Sequence, residues 1–366
     1  MRMLSFSGSP RAMGRAFGET CRDAIVEFFA LRVDNAIKQA AKYGGQTVAP
    51  DGVLAVATRC VPATRAFDPA GFEELTGIAE GAGLTVEQIL ALNGLTDIRD
   101  VLSWPGNPEA FGGCTSFIAQ RDVTADGRVL VGQTWDLATD NQPFVVAVHR
   151  RPDHGPETWS LTTAGCLSLI GLNSAGLAIG TTNIRTTDAR PGVTYLSLIH
   201  RALSLTDLEA ATQAIATAPR AGAHYYFLAD AQGRAVALEC SATTHTRHDV
   251  REGFYNHTNH CRVPENIARE GVAPPSSSTA RLARLDTLFA GAHGRVDEAA
   301  ARAFLGDDAN GTDAIRRDHY DGISTNGAVI MSPERGHIEA CHGLPDANPW
   351  YDLKALARDP SAAPIA

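Results

Sequence analysis

The chain contains 366 residues, of which 44% are hydrophobic and 20% are charged, and its formal net charge is -9. A chain of this length and composition can bury a large core, and an acidic chain without a basic block is not expected to bind nucleic acid. It has no run of eighteen apolar residues and no signal-like stretch at its start, so we expect a cytoplasmic protein with no membrane partner.

The first 110 or so residues have the apolar spacing of helices. Asp68, followed by Pro69, has the residue types of an N-cap and a first helical position. The pattern predicts helices over residues 13–41, 53–65 and 69–81 and a fourth that opens at residue 85.

The pattern changes to short strands after residue 113. Turn sequences such as Asp126-Gly127 and the stretch 173–176 separate the apolar runs, which is typical of hairpins and therefore of antiparallel sheet. The predicted strands in this part of the chain cover residues 115–120, 128–134, 144–150, 158–163, 167–173 and 176–182.

Helical spacing returns over residues 195–218, where Thr206 and Glu209 have the spacing of a capping box. The later predicted elements are strands over 224–229, 235–240 and 253–260, an exposed loop at 274–278, helices over 279–290 and 296–305, and strands over 325–332 and 336–341. This order of helices and strands predicts an α+β layered domain.

One cysteine, Cys114, stands in a sequence that suits a nucleophile. Phe111, Gly112 and Gly113 precede it and two hydroxyl residues follow it, so the backbone before it can adopt conformations that a β-carbon forbids. If the peptide bond before Cys114 were cut, the residue would carry a thiol and an α-amine, which titrates at roughly 7.7–8.0, as a general base requires. An isolated free cysteine is more often a small buried hydrophobe, so the motif alone leaves both interpretations open.

The seven cysteines together predict neither a disulfide framework nor a structural zinc site. They are odd in number and widely scattered, and no CxxC pair occurs. His257, His260 and Cys261 have the residue types of metal ligands, but adjacent residues of a strand point to opposite faces. We therefore expect no metal and no cofactor.

Four short blocks follow one another in a fixed order: GCTS at 113–116, GQTWD at 132–136, GLNSAG at 171–176 and HTNHC at 257–261. With the segment GIAEG at 77–81, they resemble the isopenicillin N acyltransferase (acyl-coenzyme A:6-aminopenicillanic acid acyltransferase) family of cysteine N-terminal nucleophile hydrolases. The resemblance covers most of the chain and implies an α+β fold, a four-layer αββα sandwich of two antiparallel sheets between helical layers. It also implies self-cleavage between Gly113 and Cys114, which would leave a smaller helical fragment, 1–113, and a larger catalytic core, 114–366. The two fragments would form a heterodimer within one structural domain.

The resemblance implies catalytic roles for three residues. Cys114 would attack a carbonyl carbon, with its own α-amine as base, and form a thioester. Asp136 would hydrogen-bond and orient that amine, whose pKa a carboxylate raises and burial lowers. Asn259 would donate to the developing oxyanion. Taken alone, Asp136 and Asn259 would more often be turn or cap residues.

Other residues in or near these blocks are candidates for the substrate pocket. They are Thr115, Ser116, Trp135, Asn173, Glu239 and Asn326. Thr115 and Ser116 could also assist self-cleavage, while Glu239 matches a family glutamate without an assigned role. The penicillin enzyme has an arginine near its site where this chain reads STNGA at 324–328, which weighs against penicillin-type substrates.

The sequence thus predicts a self-processing zymogen that matures into a cysteine amidase or acyltransferase. It would take a small N-acyl amide, such as a β-alanyl amide, or an acyl thioester, form a thioester on Cys114 and pass the acyl group to water or an amine. The alternatives are a coenzyme A-dependent N-acyltransferase of the penicillin type, a non-catalytic binding protein with the same fold, and a metal-dependent hydrolase using His257, His260 and Cys261.

Overall fold

The computed structural model describes residues 1–44, 47–102, 113–320 and 322–358. Phe111 and Gly112 lie outside the described residues. The helices are α1 (Pro10–Thr20), α2 (Arg22–Gly44), α3 (Pro50–Phe67), α4 (Pro69–Ala82), α5 (Val86–Leu102), α6 (Tyr195–Leu203), α7 (Leu208–Thr217), α8 (Pro264–Glu270), α9 (Ser276–Gly291), α10 (Glu298–Leu305) and α11 (Leu353–Arg358).

The strands form two sheets. Their bounds are β1 (Met3–Gly8), β2 (Cys114–Ala119), β3 (Leu130–Ala138), β4 (Val145–Pro152), β5 (Thr158–Thr163), β6 (Ile170–Asn173), β7 (Ala178–Asn183), β8 (His224–Ala229), β9 (Ala235–Cys240), β10 (His245–Val250), β11 (Phe254–His257), β12 (Ile323–Ser332), β13 (His337–His342) and β14 (Trp350–Asp352). One sheet has the order β1-β4-β5-β6-β7-β8-β9-β10, and the other has the order β11-β2-β3-β12-β13-β14. All pairings are antiparallel except that of β1 with β4.

The two sheets face each other through β2 and β3 on one side and β7 on the other. Gln133 of β3 joins them directly, because its Nε2 donates to the carbonyl oxygen of Thr181 at 2.9 Å and its Oε1 accepts from the Thr181 N–H at 2.7 Å. A buried amide that satisfies both backbone groups of the facing strand holds the sheets in one register.

Helices cover both outer faces. Helices α1 to α7 pack on the side of the eight-stranded sheet, where the largest cluster of buried apolar side chains lies. Helices α9 and α10 cover the six-stranded sheet through a second cluster that includes Phe117, Phe289 and Ile330. The architecture is therefore the four-layer αββα sandwich that the resemblance implies.

The structure corrects several details of the predicted elements. Strand β1 precedes the helices and pairs parallel to β4, so the sheets are not wholly antiparallel. The predicted helix over 13–41 is two helices, α1 and α2, that meet at Cys21. Strands β10 and β14 and helices α8 and α11 were not predicted, because they are short and their apolar periodicity is weak.

Two predicted caps and one predicted loop are also corrected. Helix α7 is capped by Asp207, whose side chain accepts from the Ala210 N–H, so the Thr206–Glu209 capping box is wrong. A carboxylate one residue closer to the helix supplies the N-cap acceptor instead. Asp68 stands at the N-cap position of α4, but its side chain makes no capping hydrogen bond. The predicted exposed loop at 274–278 contains the first turn of α9, in which Ser278 is fully buried.

Among the residues that the structure describes, no helix combines the length and apolar character needed to cross a membrane.

Candidate active site

Cys114 begins strand β2, which lies between β11 and β3, and only 7% of the residue is exposed. The peptide bond before it is held on both sides. The Cys114 N–H donates to Asn259 Oδ1 at 2.7 Å, and the carbonyl oxygen of Gly113 accepts from the Asp136 N–H at 2.8 Å. The structure therefore brings together the four residues predicted for self-cleavage and catalysis.

Charged groups approach the α-carbon of Gly113 closely. A β-carbon at this position would lie 3.0 Å from Asp136 Oδ2 and 3.2 Å from the Arg281 guanidinium carbon. Any side chain here would press against both groups, so glycine fits before Cys114 without displacing them.

Asn259 lies two residues beyond the end of β11. Its Oδ1 accepts from the Cys114 N–H and from Arg281 Nη2 at 2.9 Å, and its Nδ2 donates to the carbonyl oxygen of Asn183 at 2.8 Å. Because two donors converge on Oδ1, the orientation of the amide is set by its surroundings. In the continuous chain Asn259 thus acts towards Cys114 as an acceptor, and its second Nδ2–H has no partner among the described residues.

Asp136 is fully buried beside Cys114. Its Oδ1 accepts from the Thr325 hydroxyl at 2.7 Å and its Oδ2 from the Thr134 hydroxyl at 3.3 Å. Burial raises the pKa of Asp136 to about 6, although the positive charge of Arg281 and the hydrogen bonds oppose this rise. The carboxylate is therefore ionised at neutral pH and becomes protonated in mildly acidic solution.

Arg281, on α9, is a site residue that the sequence motifs did not reveal. It is 2% exposed, and its Nη1 donates to the carbonyl oxygen of Cys114 and to Thr115 Oγ1. Burial lowers its pKa to about 10, so it stays charged at neutral pH. A second arginine, Arg317, also stabilises the Asp136 carboxylate electrostatically. Neither arginine lies in a recognisable motif. For Arg281, the sequence signal is a charged residue on the apolar face of α9.

The thiol of Cys114 is not activated in the continuous chain. Burial and the negative charge of Asp136 raise its pKa to about 12. Because the thiolate is the reactive form, a base must accept the thiol proton during any attack.

A pocket of about 40 Å³ opens beside these groups. Cys114, Asp136 and Asn259 line one side, and Trp135 and Tyr195 are among the residues that line the rest. This volume is small compared with the several hundred Å³ typical of ligand pockets, so the continuous chain leaves little room for a substrate.

The other predicted pocket residues have different positions. Thr115 contacts Arg281, and the Ser116 hydroxyl donates to the His257 carbonyl at 3.2 Å, so both lie behind the site. Asn173 ends β6, and its Oδ1 accepts from two N–H groups of the following turn. Asn326 donates to the Ala138 carbonyl from β12. Neither asparagine is among the residues lining the pocket.

Glu239 stands outside the pocket and anchors the turn that carries Asn259. Its Oε2 accepts from His257 Nε2 at 3.1 Å and from the Arg262 N–H at 2.8 Å. Its Oε1 accepts from Asn266 Nδ2 at 3.1 Å. These hydrogen bonds and the positive charge of His257 lower the pKa of Glu239 against the opposing effect of burial.

The three residues considered as metal ligands have separate partners. His257 contacts Glu239, His260 Nδ1 lies 2.8 Å from Ser278 Oγ, and Cys261 packs with Ile184 and Ala223. Within the described ranges, no group of three or more His, Cys, Asp or Glu side chains is arranged to hold a metal ion.

The sequence profile of the acyl-coenzyme A:6-aminopenicillanic acid acyl-transferase family matches residues 123–338. The chain belongs to this family. The matched region includes Asp136, Asn259 and Arg281 and begins nine residues after Cys114.

Two relatives match a large part of the chain. The chain is 28% identical over 272 residues to the 40 kDa form of acyl-coenzyme A:6-aminopenicillanic-acid-acyltransferase from Emericella nidulans, which covers 74% of this chain and 73% of the relative. It is 24% identical over 267 residues to an uncharacterized protein from Archaeoglobus fulgidus, of which it spans 43%.

Two solved structures have a similar arrangement. A mutant conjugated bile acid hydrolase from Clostridium perfringens has a TM-score of 0.47 and 10% identity, and the match covers 66% of this chain and 93% of the other. Penicillin V acylase from Agrobacterium tumefaciens has a TM-score of 0.46 and 15% identity, with 68% and 89% covered.

Proposed function

We propose that this protein is a self-processing cysteine amidohydrolase or acyltransferase that forms a thioester on Cys114. The observation that carries the proposal is the arrangement of Asn259 and Asp136 at the Gly113–Cys114 peptide bond and of Arg281 at the carbonyl group of Cys114. Each contacts the backbone of residue 113 or 114 directly, as expected of groups that act on that bond and on the amine it releases. Membership of an acyltransferase family supports the acyl-transfer chemistry.

The first reaction would cut the chain. The Cys114 sulfur attacks the carbonyl carbon of Gly113 and loses its proton, and the Asp136 N–H donates to the oxygen on which negative charge develops. The bond from this carbon to the Cys114 nitrogen then breaks, and the nitrogen takes up the proton that the thiol lost and leaves as an amine. Water hydrolyses the resulting thioester, which gives a carboxylate on Gly113 and a free thiol on Cys114.

The second reaction would use the new N-terminus. The α-amine of Cys114 takes the thiol proton, the sulfur attacks a substrate carbonyl, and the amine of the substrate leaves with a proton. Water or an acceptor amine then releases the acyl group. Asp136 would hold the α-ammonium, and Arg281 would keep the Asn259 amide in place so that its free Nδ2–H can donate to the oxyanion.

Intact mass under denaturing conditions tests the cleavage. We expect two polypeptides from the wild type, 1–113 and 114–366, and one chain of 38.8 kDa from Cys114→Ala. After incubation with an N-acyl amide, the larger fragment should gain the mass of the acyl group. A wild type that stays whole and unacylated would instead support a non-catalytic binding protein.

A penicillin-type acyltransferase is the second candidate, and the relative from Emericella nidulans favours it. We expect hydrolysis to dominate, because segment 324–328 contains no arginine, although Arg281 and Arg317 supply positive charge nearby. The partition of the acyl group between water and an added amine, followed by mass spectrometry, separates the two activities. Transfer from an acyl-coenzyme A to 6-aminopenicillanic acid faster than hydrolysis would reverse this preference.

A further inference from the structure

A second cavity lies away from Cys114, between the part of the chain before Gly113 and the part after it. Pro10, Met13 and Asp68 line it from one part, and Arg150, Thr158 and His200 line it from the other. Its volume is about 80 Å³, against the roughly 10–15 Å³ that one water needs on a comparable measure. The cavity can therefore hold a small organic molecule.

Asp68 supplies a carboxylate without an ionic partner to this cavity. The residue is only 3% exposed, and its carboxylate forms no hydrogen bond or ion pair with any residue in the described ranges. A β-carbon at Gly71 would lie 2.2 Å from Asp68 Oδ2 and 3.2 Å from His200 Cδ2, so both side chains face the space above Gly71. Since His200 presents a carbon atom here, it does not satisfy the carboxylate.

The other carboxylate at this cavity, that of Glu74, has partners of its own. Arg150 Nε donates to Glu74 Oε1 at 2.7 Å, and His200 Nε2 lies 3.4 Å from Glu74 Oε2. Asp68 is thus the carboxylate among the lining residues that has no ionic partner in the described part of the chain. The Asp68 carboxylate reaches the open cavity and, among the described residues, has no cationic side chain beside it, so a cationic ligand in the cavity could pair with it.

A second polar residue that lines this cavity has a buried hydroxyl without a partner. Thr158 is 6% exposed, and its hydroxyl makes no hydrogen bond among the described residues. Apolar side chains, including Met13, Pro152 and Pro156, form much of the remaining wall, while His154 and Ser204 are exposed at the rim. The cavity is thus lined by polar groups of Asp68 and Thr158 and by apolar side chains, and it opens to solvent beside His154 and Ser204.

We propose that this cavity is a binding site for a small primary alkylammonium ion, with Asp68 as its counter-ion. An ammonium group has three donors and can reach both the Asp68 carboxylate and the Thr158 hydroxyl, while its alkyl chain packs on Met13 and the prolines. A divalent metal ion fits poorly, because it needs several oxygen ligands and Asp68 is the one free carboxylate among the lining residues. Because both parts of the chain build the cavity, a bound ligand stabilises their association.

Methyl NMR of the full chain tests this site independently of the chemistry at Cys114. The chain has four methionines; Met13 lines the cavity, and Met331 is fully buried in β12 and serves as an internal reference. In protein with the Cys114→Ala substitution and ¹³C-methyl methionine, n-butylammonium should shift the Met13 signal saturably and leave Met331 unchanged. Met13→Leu assigns the signal, and n-butanol and butyrate test the need for positive charge.

Asp68→Asn should weaken n-butylammonium binding at least about tenfold, as expected for loss of a charge-assisted hydrogen bond. Glu73→Gln, a substitution of an exposed residue on the same helix, should not. The proposal is overturned if Met13 does not respond, if n-butanol binds as tightly as n-butylammonium, or if Asp68→Asn binds like its parent. The comparison of ligands requires no variant at Asp68, so it decides the matter even if Asp68→Asn fails to fold.

Discussion

Arg281 and Asp136 are buried charges of opposite sign on either side of the Cys114 backbone. Burial raises the pKa of Asp136 and lowers the pKa of Arg281, and in both groups its effect is larger than that of their mutual attraction. A carboxylate with a raised pKa is held ionised at neutral pH at a cost in folding free energy. This cost in folding free energy indicates that Asp136 has a role in the reaction.

Asp136→Asn should reduce amide turnover at least about a hundredfold, because an amide cannot hold the α-ammonium of Cys114 by charge. In the unsubstituted enzyme, activity should fall as the pH drops through about 6, where Asp136 becomes protonated. A pH profile of initial rates, with circular dichroism to verify folding, checks both statements. An Asp136→Asn enzyme with full activity would remove the proposed role.

The same pKa shift predicts an effect on stability. Because the folded state binds the Asp136 proton more tightly than the unfolded state, this contribution to stability is complete below pH 3.8 and is lost as the pH rises through about 6. In chains that also carry Cys114→Ala, Asp136→Asn should therefore gain melting temperature over its parent on going from about pH 4 to about pH 8. A constant difference would mean that the pKa is not raised.

Gly113→Ala should slow self-cleavage at least about tenfold, because the added methyl group would press on the Asp136 carboxylate and the Arg281 guanidinium. The uncut fraction, followed by denaturing mass spectrometry, measures the effect. Gly291→Ala is the matched control, since a β-carbon there meets no atom within 4 Å. Equal cleavage rates in the two variants would contradict the argument.

At the scale of elements, the turn after β11 is held at two places. Glu239 accepts hydrogen bonds from His257 and Arg262 on either side of Asn259, while the Asn259 N–H donates to Ser278 Oγ at 2.8 Å. Ser278 and Arg281 are three residues apart and therefore share a face of α9. One helix thus positions both the backbone and the side chain of Asn259.

Glu239→Gln should lower kcat at least about tenfold and change KM little, because the turn loses a charged anchor and small displacements of a catalytic group are costly. Steady-state kinetics on fully matured enzyme measures this, so that slower cleavage does not contribute. Asp249→Asn, on the adjacent strand β10, is the control. Retention of the parent kcat by Glu239→Gln would show that Glu239 does not position Asn259.

At the scale of the whole molecule, the parts before and after Cys114 share one sheet and one core. Strand β1 pairs with β4 over six residues, and Glu74 of α4 contacts Arg150 of β4 through a buried ion pair. We therefore expect the two predicted fragments to stay together after cleavage. Native mass spectrometry of the matured protein should find both in one complex.

Arg150→Met should destabilise that complex by about 3–5 kcal/mol, because it leaves the buried Glu74 carboxylate without its main partner. Thermal or denaturant unfolding measures the loss. Arg128→Met removes an arginine from an exposed ion pair with Asp126 and should change stability by less than about 1 kcal/mol. Similar losses in the two variants would mean that the Glu74–Arg150 pair does not join the fragments.

The sequence by itself predicted the order of helices and strands from apolar periodicity, and its short motifs, through the family resemblance, implied the four layers and the roles of Cys114, Asp136 and Asn259. Periodicity and short motifs are local properties of the chain. Only the tertiary structure placed Arg281 and Ser278 at this site, and it moved Glu239 from a candidate for the pocket to an anchor of the turn. Their contacts join residues far apart in the chain, and no spacing in the sequence encodes such contacts. The parallel pairing of β1 with β4 and the unpartnered carboxylate of Asp68 were likewise visible only once distant segments had packed together, since burial and pairing are properties of the fold.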